Sequence, residues 1–536
     1  MQTSQKNHNS GGFVSEQYCL SPFQILDSNE CPSSGSGGTQ LSFQNYNEQF
    51  YTLESSPAPA TFLYDSPSAV SISSNRSPFS PQGSQSNLSD PHRSPDNTYG
   101  SPFSGSSLVD DDNEWRHKLR ELEFMLLGPE SGKIDSCKCY FKGGVHQASS
   151  VPRWDQIMEM IPRLELKQVL FRCAYAVSED DISTAEVFMK ALEQMVSVSG
   201  EPIQRLGAYM LEGLRARLEF SGSLIYRSLK CEEPTSNELM SYMGFLYEKC
   251  PYWKFAYYSA NVVIKEAMKY ESRIHIIDFQ IAQGSQWALL IKDLADRPGG
   301  PPFIRITGVD DSQSALARGG GLSIVGQKLS DFAESYKVPF EFHDAAMSGC
   351  EVELEHLRVQ PGEALAVNFP YVLHHMPDES VTTYNHRDRL LRLVKSLSPK
   401  VVTLVEQESN TNTTAFFTRF CETLEYYTAM FESIDVACPR DDKKRINAEQ
   451  QCVARDIVNM IACEDAERVE RHELLGKWRA RFTMAGFTPH PLSSSVTDAI
   501  RHLLKGFHEN YGLAERDGAL YLGWKNRALV TSSAWK

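Results

Sequence analysis

The chain predicts an α/β protein: a doubly wound, Rossmann-like sheet core with helices added to it and a disordered arm in front. Three observations carry this. Composition breaks near residue 110, from a stretch dominated by Ser, Gly, Pro, Asn and Gln to the periodic apolar residues of a globular domain. Residues 154 to 270 show helical patterns alone. From Ile274 onward, short apolar runs alternate with helical segments, the signature of parallel βαβ units.

Residues 1–109 cannot bury enough apolar surface to offset the entropy of ordering them, so this Ser/Pro/Gly-rich segment reads as a disordered arm. It carries Ser-Pro steps at Ser21, Ser56, Ser66, Ser77, Ser80, Ser94 and Ser101. An extended chain offers such hydroxyls to proline-directed kinases. Ser and Pro also co-occur in disordered arms for compositional reasons alone. Residues 110–149 read as a short amphipathic helix and a linker. Asp110, Asp111 and Asp112 suit a helix start, Trp115, Leu119, Leu122 and Leu126 recur at helical spacing, and Gly128-Pro129 ends the run. Two readings stand for this helix: a docking motif, or a segment that lies back on the main domain.

The globular part, 150–536, opens with helices such as IQRLGAYMLEGLRARL and FAYYSANVVIKEAM. The run Ile274 to Phe279 then marks a strand buried on both faces. A helix SQWALLIKDLAD follows, ended by Arg297-Pro298-Gly299-Gly300. A second strand runs from Ile304 to Val309 and meets Asp310-Asp311, and a helix spans Leu322 to Tyr336. PFEFH, EALAVNF and KVVTLVE continue the strands. After Thr483 the expected order is strand (FTMAGFTPHPL), helix (AIRHLLKGF) and a terminal hairpin of ALYLGWK and ALVTSSAW.

Net charge is −15, so nucleic-acid binding would need a local basic face. The best basic clusters are Lys443-Lys444-Arg445 and the helix around Lys477, Arg479 and Arg481; both follow acidic stretches, and no zinc finger, helix-turn-helix or basic zipper is legible. The 12 cysteines form no CxxC pair and no Cys/His set with zinc spacing, so free thiols and no metal are expected. The start of the chain lacks a signal peptide's apolar stretch, and no run approaches the ~20 apolar residues that span a bilayer. The expectation is a nuclear or cytoplasmic protein without a membrane segment.

Ligands of doubly wound sheets sit at the carboxyl ends of the strands, where strand order reverses. Asp278 would end the first strand and Asp310 the second, with Gly284 in the turn between strand and helix; these three define a candidate ligand pocket, with His275 on the same strand. A nucleotide-binding turn needs several glycines. FQIAQGSQW has only Gly284, and Phe279 and Gln280 put side chains where a cofactor must approach. Gly319-Gly320-Gly321 reads as an anion nest or as a connector. No catalytic residue and no cofactor are expected. The pair His374-His375 has no carboxylate or Cys at ligand spacing and reads as structural. Trp478, Trp524 and Trp535 read as core and interface anchors.

Over nearly all of 150–536 these motifs resemble the GRAS (scarecrow-like) family of plant transcriptional regulators. Ile274-His275-Ile276-Ile277-Asp278 is similar to its VHIID signature, with Ile for the leading Val. Pro399, the pair Tyr426-Tyr427 and Arg455-Asp456 fall where its PFYRE elements lie, with Asp456 in place of the usual Glu. Trp478 is separated by seven residues from Gly486, Leu522-Gly523-Trp524 follows, and Trp524 is separated by ten residues from Trp535, which closes Ser533-Ala534-Trp535 in the manner of the family's SAW element. FQIAQGSQW and RPGGPPFIRITGVDD resemble the branch named for phytochrome A signal transduction. The resemblance implies a methyltransferase-like sheet core (about 271–536) with a helical cap (about 154–270). It implies a regulator of development or of light, hormone or stress signalling, in the nucleus and also the cytoplasm. Its partners would be transcription factors and other GRAS chains, in homo- or heterodimers, with DNA reached directly or through them. The alternative is a small-ligand-binding or S-adenosylmethionine-dependent methyltransferase-like protein.

Overall fold

The computed structural model describes residues 161–219, 235–311 and 321–536. The expected arm, the helix and linker over 110–149, the Ser-Pro steps and Gly319-Gly320 lie outside the described residues.

Helices come first: α1 (Leu166–Ser178), α2 (Ile182–Met195), α3 (Pro202–Leu218), α4 (Ser236–Lys249) and α5 (Tyr252–Ala267). Their starts are written locally. In α3, Pro202 opens the first turn and the Gln204 side chain accepts from the Glu201 backbone N–H at 3.0 Å. In α4, Thr235 and Glu238 form a reciprocal cap.

The sheet follows. Its strands are β1 (Arg273–Asp278), β2 (Phe303–Val309), β3 (Phe340–Ala345), β4 (Ala364–Pro370), β5 (Val401–Gln407), β6 (Pro489–His490), β7 (Tyr511–Arg516), β8 (Ala519–Trp524) and β9 (Arg527–Trp535). The order is β3-β2-β1-β4-β5-β9-β8-β7, with β6 on β9. β1 to β5 are parallel, and β9 runs antiparallel to β5. This is the Rossmann-like sheet that the alternation predicts. Order reverses between β1 and β4, where Ile276 is flanked by Ile306 and Ala366. Ile274, Ile276 and Ile277 are wholly buried, which is why the strand reads as a continuous apolar run.

The remaining helices are α6 (Ser285–Ala295), α7 (Leu322–Ser335), α8 (His386–Ser396), α9 (Phe416–Asp435), α10 (Lys443–Ala448), α11 (Ala454–Ala462), α12 (Leu475–Met484) and α13 (Ser494–Leu504). One face of the sheet meets α5, which also touches α6 and α13; α6 in turn contacts α7. The other face builds a cluster from Ile277, Val367, Phe369 and Val402 with Leu390 and Val394 of α8 and Trp478 and Phe482 of α12. The insertion after β5 turns back onto the first helices: α9 and α11 pack on α3. Gly213 of α3 permits this approach, since a Cβ there would stand 2.9 Å from the Ile461 Cβ. Buried Arg205 locks the contact, donating to Asp435 Oδ1 at 2.7 Å and to both Glu449 oxygens at 3.1 Å.

Two expectations after residue 470 need correction. FTMAGFTPHPL is not a strand. α12 runs through Thr483, Gly486 ends it at φ +92°, and only Pro489–His490 pairs with β9. The helical recurrence of Trp478 and Phe482 outweighs the local β preference. The terminal hairpin gains an edge strand, β7, because Asp517 and Gly518 both take positive φ and turn the chain tightly into β8. No helix among the described residues is long and apolar enough to cross a membrane.

Candidate functional site

Among the described residues, the end of β1 at the reversal of strand order is held by buried polar and apolar side chains. Asp278, at the end of β1, is buried; its Oδ1 accepts from the Gln280 backbone N–H at 3.1 Å and its Oδ2 from Trp287 Nε1 at 2.6 Å. Burial pushes its carboxyl up to about 7 against the pull of these bonds, with Asp310 adding to the rise. Behind it runs a buried amide chain. Thr403 Oγ1 donates to Asn368 Oδ1 at 2.7 Å, Asn368 Nδ2 to Gln286 Oε1 at 3.1 Å, and Gln286 Nε2 to Asn261 Oδ1 at 3.1 Å. β5, β4, α6 and α5 are thereby stitched together through hydrogen-bonded polar groups.

Apolar side chains close the rest. Phe279 stacks on Phe369 with ring centres 4.8 Å apart. Gly284 sits at φ +73°, and a Cβ there would meet Leu329 and Val325 of α7 at 3.0 Å. A Cβ on Gly308 would meet Ile281 and Phe342 at 3.0 Å. Glycine in the turn at 284 and within β2 at 308 therefore admits protein side chains. Asp310 is buried beside β3, its N–H on the Ala345 carbonyl at 3.3 Å. His275 does not join the pocket. It lies toward the amino end of β1, 2.8 Å from Thr307 Oγ1 and 3.2 Å from Glu363, and burial beside Arg305 pushes its pKa down to about 3.

The other motif residues brace the sheet. Pro399 is buried just before β5. Tyr426 of α9 donates to the Leu529 carbonyl of β9 at 2.8 Å, and Tyr427 meets it edge-on at 5.2 Å. Arg455 is buried on α11 beside the half-buried Asp456. Trp535 stacks on Phe482 at 4.8 Å, and its Nε1 donates to Ser533 Oγ at 3.1 Å, while Ala534 lies in register with Thr403. Leu522 is buried in β8, Trp524 donates to Glu432 at 3.1 Å, and Trp478 lies under the Arg387 guanidinium at 5.1 Å.

Comparison with known proteins matches residues 166–536 to the GRAS domain family. The chain belongs to the GRAS family. It is 61% identical to Scarecrow-like protein 13 of Arabidopsis thaliana, over all of this chain and 99% of that one. It is 62% identical to Scarecrow-like transcription factor PAT1 of Arabidopsis thaliana, over 81% of this chain and 88% of that one. The crystal structure of SCL7 from Oryza sativa superimposes with a TM-score of 0.63 at 35% identity, covering 70% of this chain and 100% of that one.

One cluster in this GRAS domain departs from the sequence reading. The pair His374-His375 was read as lacking a carboxylate or Cys partner at ligand spacing; Asp378 lies three residues on, and its side chain bonds Ser380 and Asn412. The fold supplies other carboxylates: Glu406 from the end of β5 and Glu470 from the segment before α12, with His472 stacked on His374 at 4.3 Å. The pairing of β4 with β5 brings in Glu406, and the approach to α12 brings in Glu470 and His472.

Proposed function

We propose that this GRAS chain is a plant transcriptional regulator that acts in the nucleus by binding other proteins, transcription factors and further GRAS chains among them. Turnover or sensing of a small molecule is not its work. The supporting observation is the set of contacts at the end of β1. Where a methyltransferase-like sheet would offer a cofactor its seat, Trp287 holds Asp278 at 2.6 Å and Phe279, Ile281 and Leu329 fill the space. Single apolar side chains stand exposed on the surface: Ile182 on α2, Ile324 on α7 and Leu354 beyond β3 are each 43% exposed or more. Helical faces of this kind suit partner docking and shared homo- or heterodimer contacts. FQIAQGSQW supports placing the chain in the branch named for phytochrome A signal transduction.

Direct reading of DNA is disfavoured by the fate of the basic clusters. Arg445 is buried on Glu449, and Arg481 is buried among Glu473, Asp378 and Glu379. The charge of these two arginines is spent inside the protein, which leaves Lys443 and Lys444 exposed and Lys477 and Arg479 half-buried as the remaining cations of the two clusters. Repeated selection of the purified full chain against a random DNA pool at physiological salt should enrich no motif. Adding a nuclear extract should permit enrichment through DNA-bound partners. A motif enriched by the chain alone would make it a direct DNA reader.

A further inference from the structure

We propose that Thr488, between α12 and β6, is a phosphorylation site for a proline-directed kinase. The described residues hold two Ser/Thr-Pro steps, Ser398-Pro399 and Thr488-Pro489, and the fold treats them differently. Ser398 takes φ +53°, its N–H is bonded to the Lys395 carbonyl at 3.0 Å, and Pro399 is buried. Proline has no N–H to offer, so a kinase that selects it must seat the ring itself. A buried ring closes the first step to such an enzyme. Thr488 and Pro489 are both exposed, and Pro489 stands in extended backbone as the first residue of β6.

Few bonds hold this segment down. Thr488 pairs with Lys536 through two backbone bonds of 2.9 Å, and its Oγ1 donates to the Lys536 carbonyl at a long 3.3 Å. β6 has two residues and pairs with β9 off the main path of the sheet. Segments with few buried apolar contacts and exposed hydrogen bonds open locally at low free energy. Phe487, buried with its ring 5.3 Å from that of Phe482, anchors the chain just before the threonine. A kinase can therefore lift Thr488 and Pro489 without disturbing α12.

The surroundings suit an added anion. Lys395 of α8 passes beside Gly486, where a Cβ would stand 3.7 Å from its Cε, and its Nζ lies 5.0 Å from the Phe487 ring centre. Lys536 is exposed opposite Thr488. Burial lowers the His490 pKa and the Lys536 charge lowers it further, which puts that ammonium near β6. Glu266 is the acid that acts on His490 in the other direction, and Ser493 Oγ donates to it at 2.9 Å. Phosphothreonine carries about −1.5 to −2 charges at pH 7 and accepts charge-assisted hydrogen bonds from ammonium groups. In the transfer, the kinase's carboxylate takes the Thr488 hydroxyl proton and Oγ1 bonds the γ-phosphorus of ATP. The bond from that phosphorus to the β–γ bridging oxygen breaks, and ADP leaves. The product places a phosphate by Lys395 and Lys536.

The test incubates the purified full chain with ATP and a mitogen-activated protein kinase and maps phosphate by tandem mass spectrometry, with the arm's Ser-Pro steps as an internal control for kinase activity. We expect phosphate on Thr488 in the folded chain. Thr488→Val should lose that mark while keeping the parent's circular dichroism and melting temperature, and Pro489→Ala should label about tenfold more slowly. By phosphorus NMR, phosphothreonine 488 should titrate below the ordinary second pKa of about 6, and return toward it in Lys395→Ala. Folded chain marked on its arm and bare at Thr488 would overturn the proposal. So would a mark at Thr488 that appears only after heat denaturation, or one whose rate ignores Pro489→Ala.

Discussion

Asp278 shows how a residue suited to chemistry becomes part of the scaffold. Its position at the end of a buried strand is legible in Ile274–Asp278, and so is the shortage of glycine after it. Trp287 is not: it lies nine residues on, and only the turn through Gly284 brings its Nε1 to the carboxylate. Asp278→Ala should leave two buried donors, the Gln280 N–H and the Trp287 Nε1, without their acceptor. The expected loss is about 1–3 kcal/mol for each, read from the urea midpoint. The pH dependence has a definite sign. Because burial raises this carboxyl from 3.8 to about 7, its contribution is full below pH 3.8 and is lost as pH rises through about 7. Asp278→Asn should flatten that part of the stability profile between pH 4 and 7, measured by denaturation at fixed pH; an unchanged slope would contradict the assignment. Gly284→Ala should cost about 1–3 kcal/mol, through strain at φ +73° and contact with Leu329 and Val325.

At the scale of elements, legibility follows burial. β1, β2, β4 and β5 are buried along nearly all their length, so their apolar runs alternating with helices reveal them, while β3 at the sheet edge is more exposed and carries Glu341, His343 and Asp344. β7 is exposed over most of its length and polar, so nothing in its composition marks a strand; the Asp517-Gly518 turn was the available signal. α9 and α11 form in the insertion after β5. Their packing on α3 rests on side chains far apart in sequence, such as Arg205 with Glu449, and no periodicity encodes it. Arg205→Ala would leave buried Glu449 with Arg445 as its remaining ion-pair partner, and should cost about 3 kcal/mol, the low end for breaking a buried pair. Trp535→Ala in β9 empties the stack on Phe482 and should cost a similar ~3–5 kcal/mol. Both are checked by chemical denaturation.

Among the described residues, a sheet whose strand order reverses between β1 and β4 has Asp278, Trp287 and Phe279 packed at the end of β1. Family membership was readable in the sequence because the motifs are strands and anchors of that sheet. The histidine cluster was unreadable because it forms only where β4, β5 and the approach to α12 converge. The central claim, that the crevice holds protein and no cofactor, is tested most directly by titrating the purified full chain with S-adenosylmethionine to millimolar concentration, following heat and melting temperature together. A ligand present at about 100 times its dissociation constant would add roughly 2.7 kcal/mol of stability, which a thermal shift would register. The account predicts no saturable heat and no shift. Saturable binding with a matching rise in melting temperature, abolished by Asp278→Asn in folded protein, would contradict it.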